Sequence, residues 1–382
     1  MTILSQPSNN SKPDMEEESY DYIIVGAGIE GSATALELAR RKKRTLLLEQ
    51  FELGKSDGSS QGKSRIIRHS YKEDYFTSMT FEAYEEWFKI EKETGNNIYS
   101  KTGLLTVDKP LSEHLNDVCN ALIKFNHPFE YLDSGTLHNR FPLLNLPECA
   151  AVYEADGGVL KADIALKSIQ DLYVKAGGKA KGNSKVISIE PTPDKITIKT
   201  DVNDVYVANS IIICAGPWAP DLLESIGLDL PLDVVEIGVT YWKERHEGAY
   251  SSDKFPCIID STSGFYSLPS LEYPGHVKVM LNMGYQPSTE NRIEKLSKYV
   301  RHFFPELDST APSREEKCYY TNTPDEAFVL DRHPNYKNII IGAGFSGTGF
   351  KLAPVVGKIL ANFADGTNQD YDLQPFRINR FK

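Results

Sequence analysis

The fold is decided by residues 21–39, which read DYIIVGAGIEGSATALELA. The apolar start of this stretch is typical of a buried strand, and its end has the composition of a helix. Between the two, Gly26, Gly28 and Gly31 have the spacing G-x-G-x-x-G. In this arrangement the first glycine permits a tight turn, the second lets a pyrophosphate approach the backbone, and the third lets helix and strand pack closely. The free N–H groups at the start of the helix then face the phosphates.

A second apolar run, residues 45–48, ends at Glu49. Glu49 follows the glycines at about the 20-residue distance at which an acidic side chain meets ribose hydroxyls in dinucleotide sites. Because strand, glycines, helix, second strand and acid follow in order, the sequence predicts a Rossmann-type dinucleotide site. The alternative is a tight strand-to-helix turn that binds no ligand.

A second glycine cluster lies near the other end of the chain, in NIIIGAGFSGTGFKLAPVVGKILA (residues 338–361), where Gly342, Gly344 and Gly347 repeat the spacing. Too little chain follows it for another mononucleotide unit, which needs about 30 residues and sheet partners. We therefore expect this segment to approach the cofactor of the first cluster. A third apolar segment, SIIICAGPWAP (residues 210–220), also ends in a small-residue turn. Three converging segments favour FAD over NAD, because FAD has the longer body.

Composition narrows the class of partner. The chain of 382 residues has a net charge of -11 and a pI near 5.3, which argues against nucleic acid or an anionic membrane as the main partner. No stretch approaches the roughly 20 apolar residues of a membrane span, and the polar residues 1–19 are predicted to be a mobile tail. The five cysteines form no C-x-x-C pair, a pattern typical of a reducing compartment without disulfides or a metal site.

Further motifs carry a family resemblance. The segments GSSQGKSRIIRHSY (residues 58–71) and KCYYTNTPDEAFVLDRHP (residues 317–334), with the second glycine cluster, resemble the sarcosine oxidase family of amine-oxidising flavoproteins. The resemblance implies a mixed α/β fold with two domains. One is a Rossmann-type FAD-binding domain assembled from residues 20–105, 150–230 and 318–382; the other is a mixed-sheet catalytic domain from residues 106–149 and 231–317.

The resemblance also assigns roles in the cofactor and substrate sites. It implies that FAD is bound covalently through a thioether at Cys318, with Ser64 nearby, that Arg68 and Lys351 hold the substrate carboxylate, and that Arg65 lies near the flavin ring. Lys351 is also expected to contact the cofactor. Without the resemblance, Cys318 would be read as a buried free thiol, and the two arginines as solvated side chains.

Three residues complete the expected site. By resemblance, Tyr266 lies on the substrate side of the cavity, Lys278 activates oxygen, and Tyr320 lines the same cavity. The strand around Lys278 alternates it with valines, so its side chain faces either solvent or a cavity, and the sequence leaves both open. Asn282 stands where the family usually has a histidine, and asparagine forms hydrogen bonds without titrating near neutral pH, which bears on the substrate and the pH dependence.

The implied function is that of an FAD-dependent oxidase of secondary amino acids. Hydride passes from the substrate carbon to flavin N5, the resulting imine is hydrolysed, and dioxygen is reduced to hydrogen peroxide. Sarcosine and L-pipecolate are the leading substrates. Two alternatives stay open: a dehydrogenase that uses another electron acceptor, and a flavin-binding protein without amine chemistry.

The expected partners are therefore a small secondary amino acid and O₂, with a monomeric protein and no nucleic acid or membrane. The family resemblance implies a peroxisomal location. The chain given ends in RINRFK, however, which differs from the S-K-L type of peroxisomal signal, so a cytosolic location stays open.

Overall fold

The computed structural model describes residues 19–55, 57–281 and 291–381. The tail predicted over residues 1–19 lies outside them except for Ser19, which begins the first strand. Asn282 also lies outside the described residues, so its expected effect stays a prediction.

The described residues form three sheets and a set of helices. The strands are β1 Ser19–Val25, β2 Thr45–Leu48, β3 Ser64–Ile67, β4 Tyr99–Lys101, β5 Leu104–Asp108, β6 Glu130–Leu132, β7 Ala150–Glu154, β8 Gly158–Lys161, β9 Lys179–Lys181, β10 Val186–Pro191, β11 Ile196–Thr200, β12 Val205–Ile213, β13 Asp233–Lys243, β14 Cys257–Asp260, β15 Phe265–Leu268, β16 His276–Leu281, β17 Arg314–Asn322, β18 Val329–Arg332 and β19 Ile339–Ala343. The α-helices are α1 Ile29–Arg40, α2 Asp74–Thr94, α3 Glu113–Lys124, α4 Ser134–Arg140, α5 Ala162–Lys175, α6 Ala219–Glu224, α7 Arg292–Phe303 and α8 Gly349–Asp365. Single 3₁₀ turns occupy Gly216–Trp218, Gln374–Phe376 and Ile378–Phe381.

The first sheet has a parallel centre, in which β1 lies between β2 and β12. The second half of β12 pairs in parallel with β19, which brings the strand of the second glycine cluster into the sheet of the first. Helices α1 and α8 cross closely over this sheet, since a Cβ at Gly357 would lie 2.7 Å from the backbone of Ala33. The two glycine-rich turns therefore end at the same edge of one sheet.

The second sheet has eight strands in the order β17-β13-β16-β15-β14-β5-β7-β6, and its pairs are mostly antiparallel. A small third sheet joins β3, β8 and β4. Together with the parallel sheet, these confirm the mixed α/β fold predicted from the sequence. The division of the chain among the sheets differs from the predicted boundaries. Strand β7 was expected in the FAD-binding part but pairs with β5 of the second sheet, and β17 runs across the boundary placed at residue 318.

No helix among the described residues is both long enough and apolar enough to cross a membrane. The functional cavity lies between the glycine edge of the first sheet and one face of the second sheet, because residues of β1, β13, β15, β16 and β17 all line it.

Candidate active site

The first glycine turn has the geometry that its sequence predicts. Gly26 has φ +101°, and a Cβ there would lie 2.3 Å from the carbonyl oxygen of Cys214, so only glycine fits. Gly31 packs against the same turn, with a virtual Cβ 2.0 Å from the Gly26 oxygen. At Gly28 a Cβ would come to 3.1 Å from Ser60 Oγ, which also accepts a hydrogen bond from the backbone N–H of Ile29 at 2.9 Å. Gly26, Gly28, Ile29 and Glu30 all line the cavity, so the start of α1 lies at its wall.

Glu49 lies beside this turn and lines the cavity. Its carboxylate accepts hydrogen bonds from the backbone N–H of Ala27 at 2.8 Å and of Phe51 at 3.1 Å. These bonds fix the carboxylate next to the glycines. Contact of Glu49 with a ribose stays a prediction.

The second glycine turn faces the same cavity. Gly344 has φ +63°, and a Cβ there would lie 2.5 Å from Thr323 Cγ2. The turn leads directly into α8, and Gly344, Gly347 and Lys351 all line the cavity. The two clusters therefore belong to one site.

The shared cavity has a volume of about 1200 Å³, above the roughly 300–1,000 Å³ of common small-ligand pockets. Its size, its two backbone cradles and the start of α1 fit an extended dinucleotide such as FAD. All but one of the residues predicted from the sequence line it; Gly31 supports the turn from behind. The predicted residues in the lining are Gly26, Gly28, Glu49, Ser64, Arg65, Arg68, Tyr266, Lys278, Cys318, Tyr320, Gly344, Gly347 and Lys351.

Cys318 and Arg65 meet on one wall of the cavity. Strand β17 places the buried Cys318 beside Ile237 of β13. The Cys318 Sγ lies 3.8 Å from Arg65 Nη2, which also donates to the carbonyls of Ser59 at 2.7 Å and Gln61 at 2.5 Å. The guanidinium is therefore held beside the thiol on the cavity wall.

Arg68 and Lys351 form a second cationic group. Arg68 Cζ lies 4.3 Å and Lys351 Nζ lies 5.8 Å from the ring centroid of Tyr71. Lys351 Nζ donates to the carbonyl of Gly347 at 3.1 Å, and burial lowers the pKa of this ammonium. Burial alone would raise the pKa of the Tyr71 hydroxyl, but the two cations bring it below its ordinary value. In the described part of the chain, no carboxylate oxygen comes within 4.0 Å of either cation. The pair is thus ready to bind an anion.

Lys278 faces the cavity, which answers the question that strand alternation left open. It lies on β16 between Tyr241 of β13 and Leu268 of β15, and it is 4% exposed. Its Nζ donates to Ser64 Oγ at 3.0 Å and to Glu272 Oε1 at 2.9 Å.

Two tyrosines complete the wall. The hydroxyls of Tyr266 and Tyr320 are 2.8 Å apart. Burial raises the pKa of both hydroxyls, so they are neutral hydrogen-bonding groups at physiological pH. They lie on β15 and β17, two strands of the second sheet that the sequence alone does not pair.

Sequence reasoning missed four acidic or basic groups near this site. Glu272 pairs with Lys278, and Glu30 lines the cavity with a carboxyl whose pKa burial raises to about 7, against the opposing charge of Arg65. The other two are His69, the residue after Arg68, and His127, whose rings are tilted to each other with centroids 4.2 Å apart. A signal existed only for Glu30, which stands inside the G-x-G-x-x-G motif; the others follow from contacts between distant segments.

Comparisons with known proteins agree with this geometry. Residues 21–363 match the family described as FAD dependent oxidoreductase. The peroxisomal sarcosine oxidase of Homo sapiens is 42% identical, over 96% of this chain and 97% of that protein. The monomeric sarcosine oxidase of Bacillus sp. (strain B-0618) is 31% identical, over 94% of this chain and 96% of that protein.

The fold is also shared with a solved structure. The L-proline dehydrogenase from P. horikoshii superimposes with a TM-score of 0.83 at 21% identity, covering 96% of this chain and 98% of that one. At that identity the likeness concerns the fold alone. The family match and the two sarcosine oxidases go further and confirm the resemblance found in the sequence: the chain belongs to the sarcosine oxidase family of FAD-dependent oxidoreductases.

Proposed function

We propose that this protein is an FAD-dependent oxidase of secondary amino acids, with sarcosine and L-pipecolate as leading substrates. The observation that carries the proposal is the pair of Arg68 and Lys351, two cations without a carboxylate partner in the described chain, in the cavity of an FAD-dependent family member. An acidic protein of net charge -11 needs such a local site to hold an anionic substrate. The named relatives, which are sarcosine oxidases, support the choice of substrate class.

In this proposal the chain positions the substrate for the cofactor. FAD, when bound, supplies the redox chemistry by accepting two electrons from the amine and passing them to dioxygen. Arg68 and Lys351 hold the substrate carboxylate, while Tyr266 and Tyr320 bound the cavity with neutral hydroxyls. Lys278 presents its ammonium from the opposite sheet, in a region from which protein side chains exclude most water.

Two alternatives to this function are a dehydrogenase that uses another electron acceptor and a flavin-binding protein without amine chemistry. The test is to mix the purified flavoprotein without oxygen with sarcosine, L-pipecolate, L-proline and glycine, and to follow the visible absorbance. Sarcosine or L-pipecolate should bleach the flavin, and admission of air should restore the colour with about one hydrogen peroxide per substrate. Bleaching without peroxide would favour a dehydrogenase. Absence of bleaching by every amino acid would leave a flavin-binding protein without amine chemistry.

We further propose that FAD is attached covalently through Cys318. The thiol is buried on the cavity wall beside the Arg65 guanidinium, where it can contact a cofactor held by the two glycine turns. Acid-precipitated protein should therefore remain yellow, and Cys318→Ala should release its FAD into the supernatant. Cys119→Ala, which changes a half-buried thiol on α3, is the matched control and should keep the flavin bound. A colourless precipitate from the unaltered protein would contradict the proposal.

We also propose a peroxisomal location and a monomeric state. The location rests on the similar human protein, which is named as peroxisomal. Imaging of the full-length natural protein in its own cells tests the location, with a diffuse cytosolic signal as the contrary result. Light scattering of the purified protein tests the monomer.

A further inference from the structure

Glu272 forms an ion pair with Lys278, a buried lysine of the cavity wall. It lies in the turn between β15 and β16, and its side chain is 6% exposed. One carboxylate oxygen accepts hydrogen bonds from Lys278 Nζ at 2.9 Å and from the Ser64 hydroxyl. The other accepts from the Tyr241 hydroxyl at 2.7 Å. Both oxygens are therefore occupied by groups that line or support the cavity.

The position of this carboxylate is fixed from behind. The Tyr241 hydroxyl also lies 3.2 Å from Glu316 Oε2, and Tyr273 donates to the other oxygen of Glu316 at 2.9 Å. Glu316 in turn accepts from Arg314 Nε at 2.7 Å. The chain of contacts connects Glu272 to the outer strand β17, so the carboxylate has little freedom to move away from Lys278.

Without Glu272, Lys278 would lose its proton readily. Burial lowers the pKa of the Lys278 ammonium, and the nearby positive charge of Arg65 lowers it further. Glu272 opposes both effects, and Cys318 opposes them to a smaller extent. Burial alone would raise the pKa of Glu272, but Lys278, Ser64 and Tyr241 hold that pKa below its ordinary value. The groups that face Lys278 are thus Glu272, Arg65, Cys318, Tyr241 and Ser64.

We propose that Glu272 is a positioning residue that keeps Lys278 charged and fixes its Nζ at the cavity wall. An unpaired ammonium buried next to a guanidinium would either discharge or turn away toward water. The hydrogen bond that Glu272 accepts from Lys278 prevents both outcomes. The inference about charge and position depends only on the contacts of these two residues, whereas its consequence for oxygen chemistry rests on the proposed function.

The direct test is a titration of Lys278 in the flavin-loaded protein. Lysine labelled with ¹³C at Cε gives an NMR signal for each ammonium, and the Lys278 signal is identified by its loss in Lys278→Met. In Glu272→Gln, which keeps the size of the side chain and removes its charge, the Lys278 signal should titrate about 1 to 3 pH units lower than in the unaltered protein. Glu316→Gln is the matched control, because it removes a charge from the same network without touching Lys278, and it should give no comparable shift. An unchanged Lys278 titration in Glu272→Gln would overturn the proposal.

A second measurement distinguishes a Glu272 that positions Lys278 from a Glu272 that only supports the fold. The rate at which air reoxidises the reduced flavin should fall with rising pH in Glu272→Gln, starting about 1 to 3 pH units earlier than in the unaltered protein, and should recover at lower pH. A purely structural defect would lower the rate at every pH. If the NMR titration shifts but the reoxidation profile does not, Glu272 has the role proposed here and the oxygen role assigned to Lys278 is wrong.

A double variant covers the case in which Glu272→Gln does not fold. Lys278→Met with Glu272→Gln removes both charges, and replacing a buried ion pair by neutral groups is tolerated far better than removing one partner. The double variant should therefore fold where the single variant does not. Failure of the second substitution to restore folding would also overturn the proposed pairing.

Discussion

Lys278 and Lys351 are both buried lysines of one cavity, with exposures of 4% and 7%, and burial lowers the pKa of each. Their partners differ. Lys278 makes an ion pair with Glu272 at 2.9 Å, whereas Lys351 donates to a backbone carbonyl and shares the Tyr71 ring with Arg68. Within the described chain, Lys351 has no carboxylate within 4.0 Å.

The difference shows which of the two lysines has a carboxylate of the protein as its partner. Lys278 has a carboxylate partner within the protein whether or not substrate is present. Arg68 and Lys351 have no carboxylate oxygen within 4.0 Å among the described residues, so in the proposed function their charge is available to an incoming anion. A substrate carboxylate therefore fits the second group, and transient negative charge on dioxygen fits the first.

The largest effect expected from this division is on the reaction with oxygen. In Lys278→Met the side chain keeps much of its length but loses the charge that would stabilise dioxygen as it accepts its first electron. Reoxidation by air should slow by at least about 10² to 10³, the usual size of losing one such stabilising group. Reduction by substrate without oxygen should change far less. Stopped-flow absorbance measures the two half-reactions separately.

The control for this variant is Lys317→Met, which neutralises an exposed lysine next to Cys318 that pairs with Glu236 at 3.0 Å. It should leave both half-reactions nearly unchanged. Reoxidation of Lys278→Met at the unaltered rate, or a defect confined to reduction, would show that Lys278 and Lys351 are not divided in this way.

The next effect in size concerns substrate binding. Removing Arg68 or Lys351 as alanine variants should weaken binding of the amino acid by about 2 kcal/mol or more, because each takes one partner from a partly desolvated charge pair. Anaerobic titration of flavin absorbance gives the dissociation constants. An N-methylamine without a carboxylate provides the comparison, since its affinity should fall much less in the same variants. Equal losses for both compounds would mean that these residues do not hold the carboxylate.

The pH dependence of anion binding sharpens the same comparison. Because burial lowers the pKa of Lys351, this ammonium loses its proton at a lower pH than an ordinary lysine. Affinity for small carboxylic acids that lack an amine should therefore decrease as the pH rises through that lowered pKa. Lys351→Arg, which stays charged, should remove the decrease. A decrease that persists in Lys351→Arg would assign the titration to another group.

The sequence predicted the parts of this site that depend on local rules. A strand, a glycine turn and a helix start are fixed by neighbouring residues, and both glycine turns have the predicted geometry at Gly26 and Gly344. Alternation along β16 left two orientations for the Lys278 side chain, toward solvent or toward a cavity, and did not select between them. Glu272 could not be found, because no spacing rule indicates that a residue in a hairpin turn folds back beside a lysine of the next strand.

The predicted domain boundaries depend on which strands pair with each other, and the sequence does not show this pairing. Strand β7 was placed in the FAD-binding part by the family resemblance, which assigned residues 150–230 to it. Its actual position depends on antiparallel pairing with β5, which buries Ala151 and Val152 in the second sheet. Pairing between distant strands is a property of the whole fold and leaves little trace in one sequence.

The smallest expected effect concerns His69, the residue that follows Arg68 in the chain. Lys278 is backed by a charged carboxylate, whereas Arg68 is followed by His69, whose pKa is lowered to about 3 by burial and then by the neighbouring His127, so that it is neutral at pH 7. Because the pKa of this histidine is lower in the folded protein than in the unfolded chain, the unfolded chain binds the extra proton between about pH 3 and pH 6.5. Stability should therefore fall as the pH decreases below about 6.5, and His69 should account for about 1 kcal/mol of that loss between pH 7 and pH 5.5.

His69→Phe keeps an aromatic ring stacked on Tyr84 and cannot titrate, so the difference in unfolding free energy between it and the unaltered protein should shrink by that amount over the same range. Denaturant unfolding at the two pH values measures the difference, and parallel losses in both proteins would mean that His69 is not held neutral behind Arg68.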